Sequence, residues 1–218
     1  MPMPSDTPQN LLIVDDHPLF RKGVRYLVNK VADFSIVGEA SCGQEGIDMA
    51  AELVPDMMLL DLNMRDISGL EVLKAVKSTN PDIRVVMLTV SDQADDLVAA
   101  LRAGADGYLL KEMEPEDLVI KLAEAAEGQI TLTPRLINLL AQSMQQDAAQ
   151  PKKTNMADLT KQEQRILELV AEGMSNKLIA RELGITEGTV KVHVKHLLRK
   201  LNLRSRVEAA VWYVDQRK

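Results

Sequence analysis

Aromatic residues are scarce: one Trp, three Tyr and two Phe stand among 218 residues, against eleven Met. The core must therefore be aliphatic and methionine-rich, and a stacking platform for single-stranded nucleic acid is not expected. A single cysteine, Cys42, excludes an internal disulfide, leaves stability to packing and fits a reducing compartment. No long apolar run of membrane-spanning length occurs, and Met1-Pro2-Met3-Pro4-Ser5-Asp6 lacks the basic start and apolar stretch of a signal peptide, so a cytoplasmic protein with no membrane association is expected. Positive charge is in deficit, 26 Lys and Arg against 32 Asp and Glu, and the net of −6 argues at face value against a polyanionic partner. An average over two domains can hide two signs, however. With 46% hydrophobic and 27% charged residues the chain is expected to fold, and its length suits one large domain or two modest ones.

What is present divides at a Gln-rich stretch. Apolar runs at Leu11 to Val14, Phe34 to Val37, Met57 to Leu60 and Val85 to Leu88, with a weaker one at Tyr108 to Leu110, have the length of strands buried on both faces. Helix-length segments with three-to-four spacing lie between them. The pattern predicts an α/β, doubly wound (βα)5 domain of the flavodoxin-like kind over 9–130, with ligands bound outside the carboxyl ends of the strands. Residues 131–155, a Pro134-started helical stretch running into Gln142 to Lys153, are expected to be a linker with a helix. From 156 to 218 only helices are predicted, about Lys161 to Ala171, Asn176 to Leu183, Glu187 to Leu201 and Ser205 to Val214, forming a small all-α domain. Residues 1–150 carry 12 basic and 24 acidic side chains, a net of −12, whereas residues 151–218 carry 14 and 8, a net of +6.

The strand ends concentrate chemistry. Asp15-Asp16 closes the first strand, Asp61 the third and Thr89 the fourth, and Lys111 follows the fifth. Three converging carboxylates repel one another, and a hard divalent cation, Mg2+ where phosphate is involved, is the usual remedy. With Mg2+ and the Lys111 ammonium to neutralise a phosphoryl group, Asp61 is placed as a carboxylate nucleophile, and the Thr89 hydroxyl can donate to phosphoryl oxygens. A lone Asp after a strand is more often a cap or turn residue, but five matching positions at five strand ends favour the site.

Leu12-Ile13-Val14-Asp15-Asp16-His17-Pro18, Leu59-Leu60-Asp61-Leu62-Asn63-Met64 and Gly104 to Lys111 resemble the receiver domains of two-component response regulators. The resemblance implies that Asp61 is the phospho-acceptor, that Asp16, Asp61 and the Asn63 backbone carbonyl bind Mg2+ with Asp15 assisting, and that Lys111 contacts the phosphoryl group. It further implies that Thr89 and Tyr108 form a switch pair, the ring turning inward behind the hydroxyl. Arg65-Asp66 departs from the family's usual Pro-Gly, which permits a looser loop and bears on the rate of phosphoryl loss.

In the last sixty residues, Asn176 to Leu183, a break at Gly184 and Glu187 onward have the spacing of a helix-turn-helix, with Leu178, Ile179 and Leu183 against Val190, Val194 and Leu197. Thr186 is the expected N-cap of the second helix, which turns Thr189, Lys191, Val192 and Lys195 outward. Such a face suits a DNA groove, although a solvated lysine face on a plain bundle has the same pattern. Leu159-Thr160-Lys161-Gln162-Glu163, Gly173 to Lys177, Thr189-Val190-Lys191-Val192-His193 and Ser205-Arg206 are similar to the LuxR-type output domain, which makes the whole chain resemble the NarL/FixJ subfamily. Through Lys191 to His196 and Ser205 to Trp212 the likeness extends to nitrate/nitrite response regulators. It implies double-stranded promoter DNA contacted by Lys177, Thr189, Lys191, Val192, Lys195 and Arg206, and a homodimer on DNA when phosphorylated, joined through Val211 and Trp212. It also implies a partner sensor histidine kinase and no enzymatic activity beyond self-catalysed phosphoryl uptake and slow loss at Asp61. The enzyme rival, an aspartate-nucleophile phosphohydrolase, needs a second Asp two positions after the nucleophile, where Asn63 stands.

Overall fold

The computed structural model describes residues 8–30, 34–90, 93–129, 131, 156–203 and 205–216. The expected linker helix lies outside the described residues.

Five strands, β1 (Gln9–Val14), β2 (Phe34–Ala40), β3 (Met57–Asp61), β4 (Arg84–Thr89) and β5 (Gly107–Leu110), form one parallel sheet in the order β2-β1-β3-β4-β5. They alternate with α1 (Pro18–Val28), α2 (Gly43–Leu53), α3 (Gly69–Thr79), α4 (Ala94–Arg102) and α5 (Pro115–Ala126). The consecutive apolar runs split by parity between the two faces. Leu12, Val14, Met58, Leu60, Val85 and Met87 join the α2, α3 and α4 side, while Leu11, Ile13, Met57, Leu59, Val86 and Leu88 join α1 and α5. Chain order reverses between β1 and β3, whose carboxyl ends carry Asp15 and Asp61, and this is the point where such sheets open a crevice. Thr131 sits just beyond the expected boundary at 130 but is fully buried against the sheet edge, its carbonyl accepting from the Tyr108 N–H at 3.0 Å.

Among the described residues the second unit holds a 3-10 turn at Met156–Asp158 and four α-helices, α6 (Lys161–Ala171), α7 (Asn176–Leu183), α8 (Glu187–Lys200) and α9 (Arg206–Asp215). Each is capped by a hydroxyl: Thr160, Ser175, Thr186 and Ser205 accept from the N–H groups of Glu163, Leu178, Thr189 and Glu208. Gly184 ends α7 at φ 65, a left-handed conformation that turns the chain into α8. Ile166, Leu167, Val170, Ile179, Val190, Leu197 and Tyr213 make the core. Leu178, expected to join it, is instead 43% exposed, because it lies one position round the helix from the buried Ile179.

Glu163 is buried, closes the capping box with Thr160 and meets Lys200 Nζ at 2.6 Å. Burial pushes its carboxyl up, but the bonds from Lys200 and Thr160 outweigh this and hold it down at about 2, against an ordinary 4.5. Because the folded value is the lower one, the stabilisation is complete above pH 4.5 and is lost as pH falls toward 2. Glu163→Gln is expected to cost about 1–2 kcal/mol at pH 7, with the difference from wild type shrinking over that acid window in urea melts.

The two units touch. Val207 of α9 is 1% exposed and clusters with Leu97, Val98 and Leu101 of α4 rather than with its own helical core. Lys195 of α8 reaches Asp82 at 3.4 Å. Among the described residues no helix is long and apolar enough to cross a membrane.

Candidate functional site: an acidic pocket and a basic helix

The strand-end residues converge as expected. Lys111 Nζ lies 2.8 Å from Asp15 Oδ2 and 2.7 Å from Asp61 Oδ2, and its own side chain is 10% exposed. It is fixed by a backbone bond, Lys111 N–H to the Thr89 carbonyl at 2.8 Å, and its ammonium sits over the Phe20 ring at 4.9 Å. Asp61 is buried, and burial pushes its carboxyl above the ordinary value. The Lys111 bond opposes that rise, the Asp15 charge adds to it, and the Asn63 N–H, 3.3 Å from Asp61 Oδ1, also holds it down. Asn63 further approaches Thr89 Oγ1 through Nδ2 at 3.5 Å.

A divalent ion fits this donor set. Oxygens of Asp15, Asp16 and Asp61 lie within 4.8 Å of one another, and Asp15 Oδ2, Asp16 Oδ1 and Asp61 Oδ2 are buried atoms that accept no hydrogen bond of sound geometry, only ion-pair contacts. Buried carboxylate oxygens in that state are what an oxygen-seeking cation satisfies.

Thr89 and Tyr108 are both fully buried. Tyr108 belongs to the same apolar cluster as Val207 of α9, with Val211 packed against it.

Three further residues, His17, Arg65 and Asp66, neighbour the pocket. His17 turns Nδ1 into the cluster, 2.8 Å from Asp16 Oδ1 and 3.1 Å from Asp15 Oδ1. Arg65, in place of the usual Pro, puts Nε 3.2 Å from Asp16 Oδ2. Asp66 reaches across to α2, whose N-cap Cys42 makes no side-chain cap, and accepts from Gly43 and Gln44 N–H at 3.0 and 3.1 Å. Those bonds, that of Gly43 foremost, lower the Asp66 carboxyl to about 2. The loop that loses Pro-Gly rigidity is thus tied at both of the substituted residues. Adjacency of His17 to Asp15-Asp16 is a signal legible in sequence; the reach of Asp66 to a helix start 23 residues back is not.

On the basic side, Thr189, Lys191, Val192 and Lys195 share the exposed face of α8 and Lys177 is half-buried on α7. Lys191, Lys195 and Arg199 line a cleft of about 810 Å³ that they share with Asp82 and Arg84 of the receiver-like unit. Arg206 does not join them. It is 9% exposed, with its guanidinium donating to Asn176 Oδ1 at 2.8 Å and to the Met174 carbonyl. Burial, with the like charge of Arg84, lowers it to about 10 against the pull of Asp106. In this arrangement Arg206 ties the start of α9 to the start of α7 within the helical unit, with Arg84 and Asp106 of the receiver-like unit nearby. Val211 and Trp212 diverge too: Val211 packs toward the receiver-like cluster and Trp212 toward the helical core.

Comparison with known proteins agrees with both halves. The response regulator receiver domain matches residues 11–123, and the bacterial regulatory proteins of the luxR family match residues 157–213. The nitrate/nitrite response regulator protein NarL of Escherichia coli K12 is 48% identical over 215 residues, 99% of each chain, and NarP of the same strain is 43% identical over the same span. Among solved structures, the RcsB response regulator of Salmonella typhimurium aligns with a TM-score of 0.57 at 26% identity, over 96% of this chain and 99% of that one.

Proposed function

Because this chain belongs to the NarL/NarP-like response regulators, which join a receiver domain to a LuxR-type DNA-binding domain, we propose that Asp61 takes a phosphoryl group from a sensor histidine kinase and that α8 is thereby released to promoter DNA. The observation that carries this reading is the largely buried Lys111 Nζ lying between Asp15 and Asp61 at 2.8 and 2.7 Å. An Asp61 oxygen attacks phosphorus, the P–N bond of the kinase phosphohistidine breaks, the imidazole leaves and takes up a proton, and an acyl phosphate remains. Asp15, Asp16 and Asp61, with the Asn63 carbonyl, would hold Mg2+, which supplies charge neutralisation for the phosphoryl oxygens. Lys111 pairs with the new oxygens instead of with Asp61, and the Thr89 hydroxyl turns to donate to them.

Output follows from the seam. With α9 set against α4, and Lys191 and Lys195 lining the cleft beside the receiver, the groove-reading face of α8 is hindered. A shift of the β4 end, transmitted to α4, loosens Val207 and frees Lys177, Thr189, Lys191, Val192 and Lys195 for DNA. It also bares Val211, which with Trp212 is the proposed dimer contact. For Arg206 the geometry favours a bracing role between α9 and α7 over the DNA contact that the family resemblance implies. Nitrate or nitrite as the signal is carried over from the names of NarL and NarP, relatives across almost the entire chain. Incubation with acetyl phosphate and Mg2+ should add one phosphoryl group to the wild type by intact mass and none to Asp61→Asn; labelling of the variant to the wild-type extent would overturn the assignment.

A further inference from the structure

His17 gives the acidic pocket something a purely carboxylate site lacks, a nitrogen donor. We propose that Asp15, Asp16, Asp61 and His17 together form a site for a nitrogen-preferring divalent transition metal of the Zn2+ class, and that this ion competes with phosphorylation. The proposal rests on the reading of Asp61 as the phospho-acceptor.

The donor geometry is that of one coordination sphere. Zinc bonds to imidazole nitrogen and carboxylate oxygen are about 2.0–2.2 Å long, so neighbouring ligand atoms stand about 3 to 3.5 Å apart. His17 Nδ1 lies 2.8 Å from Asp16 Oδ1, 3.1 Å from Asp15 Oδ1 and 3.7 Å from Asp61 Oδ2. Two of those residues, Asp15 and Asp61, are 2% exposed, and the Oδ2 of each is met by the ammonium of Lys111, at 2.8 and 2.7 Å. The imidazole is positioned by the backbone on both sides: the His17 N–H donates to Asp15 Oδ1 at 2.7 Å, and Pro18 opens α1 immediately after it. Although His17 is the N-cap of α1, its ring makes no capping bond. The side chain is 58% exposed, which leaves an entry path for an ion from solvent.

Ion identity decides the consequence. Mg2+ prefers oxygen ligands and keeps several waters, so it leaves room for a phosphoryl oxygen. Imidazole instead favours later first-row metals, and affinity at a mixed nitrogen and oxygen site rises along that series. Three carboxylates and one imidazole complete a tetrahedral shell with no open position, and the Asp61 oxygen used as a ligand is withdrawn as a nucleophile. Lys111 must then give up its contact with Asp61, as it does when a phosphoryl group arrives.

The other two histidines, His193 and His196, lie three apart on α8, so adventitious zinc binding there is removed by using the metal-free full chain carrying His193→Ala and His196→Ala. Calorimetric titration with ZnCl2 and with MgCl2 is compared in this background and after adding His17→Ala or, separately, His17→Gln. Either change is expected to weaken Zn2+ binding at least about tenfold while Mg2+ binding changes far less. Micromolar Zn2+ should slow acetyl phosphate labelling in the His17 chain and lose that inhibition in both variants, each measured against its own zinc-free rate. Zn2+ affinity indifferent to His17, or Zn2+ bound without any effect on labelling, would overturn the proposal. Absence of labelling with Mg2+ alone would instead defeat the phospho-acceptor reading, while the titrations still decide the metal question.

Discussion

A Val207→Asp chain is expected to bind promoter DNA without phosphorylation, with an affinity about 10- to 100-fold above that of the unphosphorylated wild type. Val207 is 1% exposed and buried in the apolar cluster of the receiver with Leu97, Val98 and Leu101 of α4, so a carboxylate there is desolvated at a cost of several kcal/mol that opening the seam relieves. Opening frees Lys195 from Asp82 and uncovers the cleft face of α8. Since Val207 belongs to the receiver cluster and not to the core of its own helical unit, α6 to α9 should keep their fold, which far-UV circular dichroism checks. Anisotropy titration of a labelled promoter fragment gives the affinity; a value equal to that of the resting wild type would mean that the seam does not restrain DNA binding.

Gly69→Ala is expected to abolish labelling at Asp61 and to destabilise the receiver by about 2–4 kcal/mol. Gly69 is the first residue of α3, and a Cβ there would stand 2.0 Å from the Asp61 carbonyl oxygen and 2.8 Å from Leu62 Cα. Those are backbone atoms, so no rotamer change relieves the clash; the end of β3 must move, and Asp61 with it. The bond from Gly69 N–H to the Leu62 carbonyl at 2.8 Å is lost in the same step. Gly23→Ala is the control, because nothing lies within 4 Å of its Cβ and it sits inside α1, where alanine should add about 0.5–1 kcal/mol. Urea melts and intact mass after acetyl phosphate treatment read both effects. Normal labelling of Gly69→Ala would show that the β3 end is not held as tightly as the packing implies.

Much of the receiver was legible in sequence because its signals are local. Consecutive apolar runs mark strands buried on both faces, and Asp15, Asp16, Asp61 and Lys111 meet because a parallel sheet brings strand ends to one rim. The helical unit was legible through its apolar spacing, the Thr186 cap and Gly184, while the caps at Thr160, Ser175 and Ser205 emerged from the structure. What escaped depends on pairs that only the fold brings together. Arg206 follows a Ser205 cap and carries the family's motif, yet its partners, the Met174 carbonyl and Asn176, lie some thirty residues away on another helix start. The seam escaped for a similar reason. Opposite net charges suggest that a −12 receiver can hold a +6 domain by attraction, but the ion pair across the seam, Lys195 with Asp82, is exposed at both ends and worth about 0–1 kcal/mol. Apolar burial of Val207, with Val211 beside it, against the receiver cluster holds the two units at contact distance instead, against the repulsion between Arg206 and Arg84. Charge asymmetry acts at longer range, where it steers the basic unit toward whichever polyanion or acidic surface is free.

The most direct measurement of the central claim is promoter affinity before and after incubation with acetyl phosphate and Mg2+, for the wild type and for Asp61→Asn side by side. Phosphorylation at Asp61 as the release signal predicts a gain of about tenfold or more for the wild type and none for the variant. An equal gain in Asp61→Asn would contradict it.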